Sequence, residues 1–142
     1  MFVTFEGPEG AGKSSVIAAL TERLIALGHT VFATREPGSG PVGSQIRRLL
    51  LEGESLDPLC ELFLFLADRA QHVATEIRPA LARGEIVLCD RYADSTEVYQ
   101  GVARGLALQT TQPLNALATG SLRPDLTLLL DVAAEIGLAR VT

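Results

Sequence analysis

The chain has 142 residues, 47% of them hydrophobic and 20% charged, with a formal net charge of −5. That length suits one domain with a sizeable core, and the acidic balance argues against a general binder of nucleic acid or of anionic membranes. No apolar run reaches transmembrane length and no basic region opens the chain, so the expected location is the cytoplasm. Cys60 and Cys89 show no metal spacing and are expected to be reduced thiols.

Residues 2–6 form an apolar run expected to be a buried strand. A glycine-rich loop follows, Gly7-Pro8-Glu9-Gly10-Ala11-Gly12-Lys13-Ser14-Ser15. The spacing Gly7-x4-Gly12-Lys13-Ser14 is that of a phosphate-binding loop. Glycines let successive backbone N–H groups face one anion, Lys13 brings a mobile positive charge for the outer phosphates of a nucleoside triphosphate, and the Ser14 hydroxyl can ligate Mg²⁺. Lys13 is the only lysine among the 12 basic residues. The strand before the loop and the amphipathic segment after it are the context such a loop requires.

Residues 13–27 read as a helix with Val16, Ile17, Leu20, Leu24 and Leu27 inward, stopped at Gly28. Val31–Arg35 is a second strand, ended by Glu36-Pro37-Gly38. Residues 38–43 are expected as loop and 43–51 as a short helix with Ile46, Leu49 and Leu50 inward. A long helix spans about Pro58 to Arg83, its buried stripe running through Leu59, Leu62, Leu66, Ala70, Val73 and Ile77, with a kink at Pro79. Residues 85–90 are a third strand, 94–104 and 110–120 helices, and 126–131 a fourth strand. Another helix starts at Glu135. Strands alternating with helices predict an α/β fold with a parallel sheet and ligands at the carboxyl ends of its strands.

Polar residues gather at those ends. Asp90 and Asp131 each close an apolar run, and Asp90 is the better candidate for a metal or its waters because Arg91 follows at once. Arg35 ends the second strand, and Arg47 lies one turn into the next helix. Phe65 and Arg69 share a helical face and could stack on and hydrogen-bond a base. By residue type alone, core packing for Phe65 and an ion pair for Arg69 remain open. Thr96, Tyr99, Gln100 and Ala103 fall on one helical face suited to a pocket wall, with Asp94 or Ser95 as a possible N-cap. His29 and His72 have no evident partners and are expected to be peripheral. A guanine-reading Asn-Lys-x-Asp motif is impossible with one lysine at position 13, and the transporter-type Leu-Ser-Gly-Gly-Gln stretch is absent.

Several stretches together resemble bacterial thymidylate kinase: Phe5 to Ser14, Thr34-Arg-Glu-Pro-Gly38, Phe65-x3-Arg69, Asp90-Arg-Tyr92, Asp94-Ser-Thr-x2-Tyr-Gln-Gly101 and Arg123-Pro-Asp-Leu-Thr127. The resemblance implies a three-layer P-loop NTPase fold with a parallel β-sheet flanked by helices, and an enzyme phosphorylating dTMP with ATP and Mg²⁺. It implies that residues 7–15 bind ATP, that Ser14 and Asp90 serve the metal, and that Lys13, Asp90 and Arg91 are catalytic. On the acceptor side it implies that Phe65 stacks on thymine and Arg69 hydrogen-bonds it, with Thr96 and Gln100 also facing the base. Arg35, Arg47 and Arg91 would hold the dTMP phosphate, Glu9 would lie near the sugar hydroxyl, and Tyr99 would pack under the deoxyribose. A homodimer is the implied assembly.

The chain departs from the family at Ser39-Gly40, where Gly-Thr is usual, and at Ser44, where Glu is common. Family members continue past position 142 into an arginine-bearing lid, a last strand and C-terminal helices. Residues 1–142 are therefore expected to be a single kinase core lacking those parts. The alternatives are a deoxynucleoside kinase, another nucleoside-monophosphate kinase, or a nucleotide-binding fragment inactive without its lid.

Overall fold

The structure, a computed structural model, describes residues 1–141. Four strands, β1 (Phe2–Glu6), β2 (Val31–Arg35), β3 (Ile86–Asp90) and β4 (Leu126–Leu129), form one parallel sheet in the order β2-β3-β1-β4. Phe5 of β1 stands opposite Asp90 of β3, which in turn pairs with Arg35 of β2. The carboxyl ends of the three strands therefore lie side by side. The central strands are buried on both faces, which explains why β1 and β3 read as continuous apolar runs.

Strand alternation feeds two cores. Phe2 of β1, with Val87 and Cys89 of β3, packs against Val73, Ile77 and Ala80 on one side of the sheet. Val3, Phe5 and Leu88 face the other way, onto Ile17, Leu20 and Leu24. The helix on that second side is α1 (Lys13–Ala26). Of its expected stripe only Ile17 is fully buried; Val16 is exposed, and Leu27 lies past the helix end in solvent.

Helix α2 covers Gly40–Glu52, three residues longer at its start than expected. Pro41 sits in its first turn, where the missing N–H costs nothing. Leu49 on this helix is exposed rather than inward. Asp57 caps α3 (Pro58–His72), accepting from the Leu59 and Cys60 N–H groups. The helical path continues through a π-helical segment, Val73–Ile77, into α4 (Arg78–Ala82). The widened turn comes just before Pro79, whose ring would crowd the Thr75 carbonyl in a regular α-helix, so the expected break takes the form of a π turn. Leu62, Leu66, Val73 and Ile77 form the buried stripe, but Leu59 is exposed, while Asp68, Arg69 and His72 are buried.

Helix α5 (Ala93–Thr96) runs into a second π-helical segment, Glu97–Ala103. Its N-cap position is Tyr92, and neither Asp94 nor Ser95 caps it. Helix α6 is Leu108–Thr119 and α7 is Ala134–Val141. β4 is an edge strand that ends at Leu129, so Asp131 lies beyond it, exposed. Among the described residues no helix is long and apolar enough to cross a membrane.

Candidate active site

The turn from β1 to α1 sets the first half of the site. Gly10 has φ 72° and touches α7: a Cβ there would overlap the carbonyl of Gly137, and one on Gly137 would lie 2.5 Å from the Glu9 carbonyl oxygen. The loop backbone and α7 thus meet with no room for a side chain on either. Lys13 folds back over the loop, donating to the Gly7 and Pro8 carbonyls at 3.0 Å each. Burial, then the nearby Arg91 charge, lowers its ammonium pKa from the usual lysine value. Beside it lies a cavity of about 440 Å³ lined by Gly10, Gly12, Lys13, Ser14, Ser15 and Arg140.

Ser14 Oγ donates to Asp90 Oδ2 at 3.2 Å, which joins the loop to the end of β3. The other carboxylate oxygen, Asp90 Oδ1, is buried without a hydrogen-bond partner. A hydroxyl and a carboxylate with an unsatisfied oxygen are the hard donors that Mg²⁺ and its waters require, so these two residues fit that ion. The next residue, Arg91, has φ 71°, a conformation costing a non-glycine residue on the order of 1 kcal/mol or more. Its guanidinium reaches Ser95 Oγ at 3.3 Å and the Tyr99 hydroxyl at 3.4 Å and lies over the Tyr99 ring. Glu6 anchors this corner. Its two oxygens accept from Tyr92 N–H at 2.8 Å and Ser95 Oγ at 2.6 Å, while burial raises its pKa above the usual carboxylate value.

A second, larger cavity of about 650 Å³ has Arg91 in its lining. Pro8 and Glu9 form its near wall and Pro37 and Arg47 its rim. Phe65 and Arg69 of α3 line it together with Thr96, Tyr99, Gln100 and Ala103. Arg69 is 2% exposed and almost fully committed. Its Nε donates to Glu36 Oε2 at 2.8 Å, Nη1 to Thr96 Oγ1 at 2.8 Å and Asn115 Oδ1 at 2.7 Å, and Nη2 to the Tyr92 carbonyl at 2.9 Å. Four of the five guanidinium N–H groups are occupied, leaving one Nη2 N–H. Gln100 Nε2 donates to Glu61 Oε1, and Arg104 pairs with the other Glu61 oxygen, each at 2.8 Å.

This geometry, a phosphate loop bonded to Asp90 and a larger cavity lined by the adjacent Arg91, has counterparts among known proteins. A family model described as thymidylate kinase matches residues 5–142. The chain belongs to the thymidylate kinase family. It is 58% identical over 139 residues to a thymidylate kinase of Thermomicrobium roseum, covering 98% of this chain and 66% of that protein. It is 55% identical over 140 residues to one from Synechococcus sp. (strain JA-3-3Ab), covering 99% of this chain and 69% of that protein. The crystal structure of thymidylate kinase from Ehrlichia chaffeensis superposes with a TM-score of 0.88 at 38% identity, covering 99% of this chain and 76% of that one. The chain thus spans about two thirds of the length of these curated thymidylate kinases.

Of the side chains expected to serve the acceptor, Glu9, Arg47, Phe65, Arg69, Arg91, Thr96, Tyr99 and Gln100 all line the larger cavity. Arg35 does not line it; it is exposed at the end of β2. Gly7 to Gly12 form the loop, Lys13 to Ser15 open α1 and line the smaller cavity, and Ser14 is bonded to Asp90. The two possibilities left open by residue type resolve differently. Phe65 lines the cavity wall, and Arg69 is ion-paired, deep inside, with Glu36.

Sequence reasoning missed the residues that hold these in place. His72 is not peripheral: it is 1% exposed, its Nδ1 2.9 Å from Glu36 Oε1. Glu36, Asn115 and Glu61 were legible only as ordinary polar residues, since their partners lie 33 to 46 positions away. Arg140 follows the last strand, and its Nη1 donates to the Gly10 carbonyl at 3.1 Å. Glu36, His72 and Cys89 bring their ligating atoms within 4.8 Å of one another. Hydrogen bonding accounts for that cluster: both Glu36 oxygens are taken, and the Cys89 thiol donates to the Arg91 carbonyl at 3.1 Å, its pKa pushed well up by burial.

Proposed function

We propose that this chain transfers the γ-phosphate of ATP to dTMP, giving dTDP and ADP, with residues 1–142 acting as one kinase core. The observation that carries the proposal is the Asp90-Arg91 pair: Arg91 lines the cavity walled by Phe65 and Arg69, while Asp90 is bonded to Ser14, which lines the phosphate-loop cavity. ATP takes the loop between Gly7 and Ser15. Lys13, now bonded to the loop's own carbonyls, exchanges them for the outer phosphates, whose charge offsets its desolvation. Ser14 and Asp90 would hold Mg²⁺, which supplies charge neutralisation along the phosphates.

The acceptor takes the larger cavity. Phe65 offers a flat face to the thymine ring, and the free Nη2 N–H of Arg69 meets a ring carbonyl. Thr96 and Gln100 border the base, Tyr99 lies beneath the sugar, and Glu9 approaches its hydroxyl. Arg47 and Arg91 hold the acceptor phosphate, with Arg35 as a third candidate from the rim. With both substrates seated, a phosphate oxygen of dTMP attacks the γ-phosphorus in line, and ADP leaves. No covalent intermediate with the protein is required, so the chain contributes position and positive charge.

Self-association into a homodimer and a cytoplasmic location complete the proposal. Leu59 and Phe63, four residues apart on α3, are both exposed, and such an apolar stripe supports pairing through helices. Product analysis with labelled ATP against dTMP, dUMP, dCMP and thymidine tests the function. Label appearing first in dTDP supports it; thymidine as the better acceptor refutes it.

A further inference from the structure

Glu36 lies at the turn after β2 and is 4% exposed. One oxygen takes the Nε–H of Arg69; the other is 2.9 Å from His72 Nδ1. The opposite ring nitrogen, His72 Nε2, is 2.7 Å from Thr34 Oγ1, the last side chain but one of β2. Thr34 Oγ1 is 3.0 Å from Ser39 Oγ, which donates to Glu76 Oε2 at 2.7 Å. A continuous path thus runs from Arg69 through Glu36, His72, Thr34 and Ser39 to Glu76. It grips the turn at Glu36-Pro37-Gly38 from both sides. The same turn presents the Pro37 carbonyl to Arg47 Nη1 at 2.7 Å, and its Gly38 N–H is held by Asp68 Oδ1 at 3.1 Å.

The consequence for Arg69 follows from counting. With four N–H groups fixed, the direction of the fifth is set by the rigid plane of the guanidinium. Among the described residues Glu36 is the one carboxylate bonded to that plane. A carboxylate so deeply buried holds a single orientation only if both oxygens are satisfied. His72 supplies the second bond and is itself clamped at its far nitrogen. Without it, Glu36 would be free to rotate away from Arg69, and the turn carrying the Arg47 contact would loosen with it.

We propose that His72 is a positioning residue for nucleotide recognition. It fixes Glu36, and through Glu36 both the free N–H of Arg69 and the turn that holds Arg47. The assignment of Arg69 to a pyrimidine carbonyl rests on the function proposed above; the relay itself does not.

Two amide variants separate its halves. An asparagine nitrogen falls where Nδ1 lies and can still donate to Glu36, whereas glutamine reaches toward Thr34 and leaves Glu36 unbonded. Three properties would be measured on the whole chain: dTMP and ATP affinities by calorimetry, hydrogen-exchange protection of the Arg69 Nε–H by NMR, and melting temperature. His72→Gln is expected to weaken dTMP about tenfold, as for a lost hydrogen bond to a buried charge, and to leave ATP affinity within about twofold. It should also abolish the Nε–H protection, while His72→Asn retains both protection and dTMP affinity. Equal losses in the two variants, tracking melting temperature and affecting ATP alike, would overturn the proposal in favour of a purely structural histidine. If the unmodified chain does not bind dTMP, the function fails, and the Nε–H protection pattern alone still decides the relay.

Discussion

Asp68 offers a stability test with a defined sign. It is 1% exposed, and one oxygen accepts from Gly38 N–H while the other, Oδ2, has no partner. Burial first, and then the Glu36 charge, push its pKa up from 3.8 to about 6. A carboxyl whose folded pKa is raised holds its proton more tightly in the folded chain. Its contribution to stability is therefore fully present below about pH 4 and is lost as the pH rises through about 6. A shift of about two units corresponds to roughly 3 kcal/mol between those limits. Asp68→Asn keeps an acceptor for Gly38 N–H and removes the buried charge, but leaves an unpaired amide N–H₂ costing about 1–2 kcal/mol. The variant should be neutral or slightly destabilised at pH 4 and more stable than the parent by about 1–2 kcal/mol at pH 8, an increase in melting temperature on the order of 5 °C. Parallel urea unfolding of both chains from pH 4 to pH 8 isolates Asp68 together with Glu36 and His72, the titrating groups its charge acts on, because groups not coupled to it cancel in the difference. A difference that stays flat, or that favours the aspartate increasingly as pH rises, would refute this assignment.

The remaining predictions concern the site. Lys13→Ala should lower turnover by about a hundredfold or more while leaving dTMP affinity nearly unchanged; undiminished turnover in single-turnover assays would contradict the role given to this residue. Gly137→Ala places a methyl group 2.5 Å from the Glu9 carbonyl, so it should cost about 1–3 kcal/mol in chemical unfolding and weaken ATP more than dTMP. Arg69→Lys keeps the charge but loses the fork that serves Glu36, Thr96, Asn115 and Tyr92. It should cost about 2–4 kcal/mol and erode selection of dTMP over dCMP, measured as a ratio of binding constants.

The parallel sheet and its first three strands were readable because β1, β2 and β3 are short apolar runs punctuated by glycine, proline or charge. β4 was read two residues too long: Leu130 prolongs the apolar run and still donates to the Glu6 carbonyl at 2.9 Å, but the strand itself ends at Leu129. The start of α2 was hidden by Gly40-Pro41, a pair that resembles a loop yet suits a first helical turn. The larger error concerned burial. Periodicity assigns the inward face of a helix to its apolar residues, but on α3 the deeply buried positions include Asp68, Arg69 and His72. Their partners come from β2, from the turn after it and from α6, so no local pattern could have revealed them. The phosphate loop and the Asp90-Arg91 junction were legible because their chemistry is contiguous in sequence. The base cavity was legible in its walls and not in its supports.

The central claim is that thymine lies in the cavity of Phe65 and Arg69 with its phosphate toward Arg47, Arg91 and Asp90. An experimental structure of the chain with dTMP bound tests it most directly. The account predicts the base stacked on Phe65, one ring carbonyl on the free Nη2 N–H of Arg69, and the phosphate at the junction with the loop cavity. Thymine found instead in the cavity lined by Ser15 and Arg140, or Arg69 making no contact with the base, would contradict it.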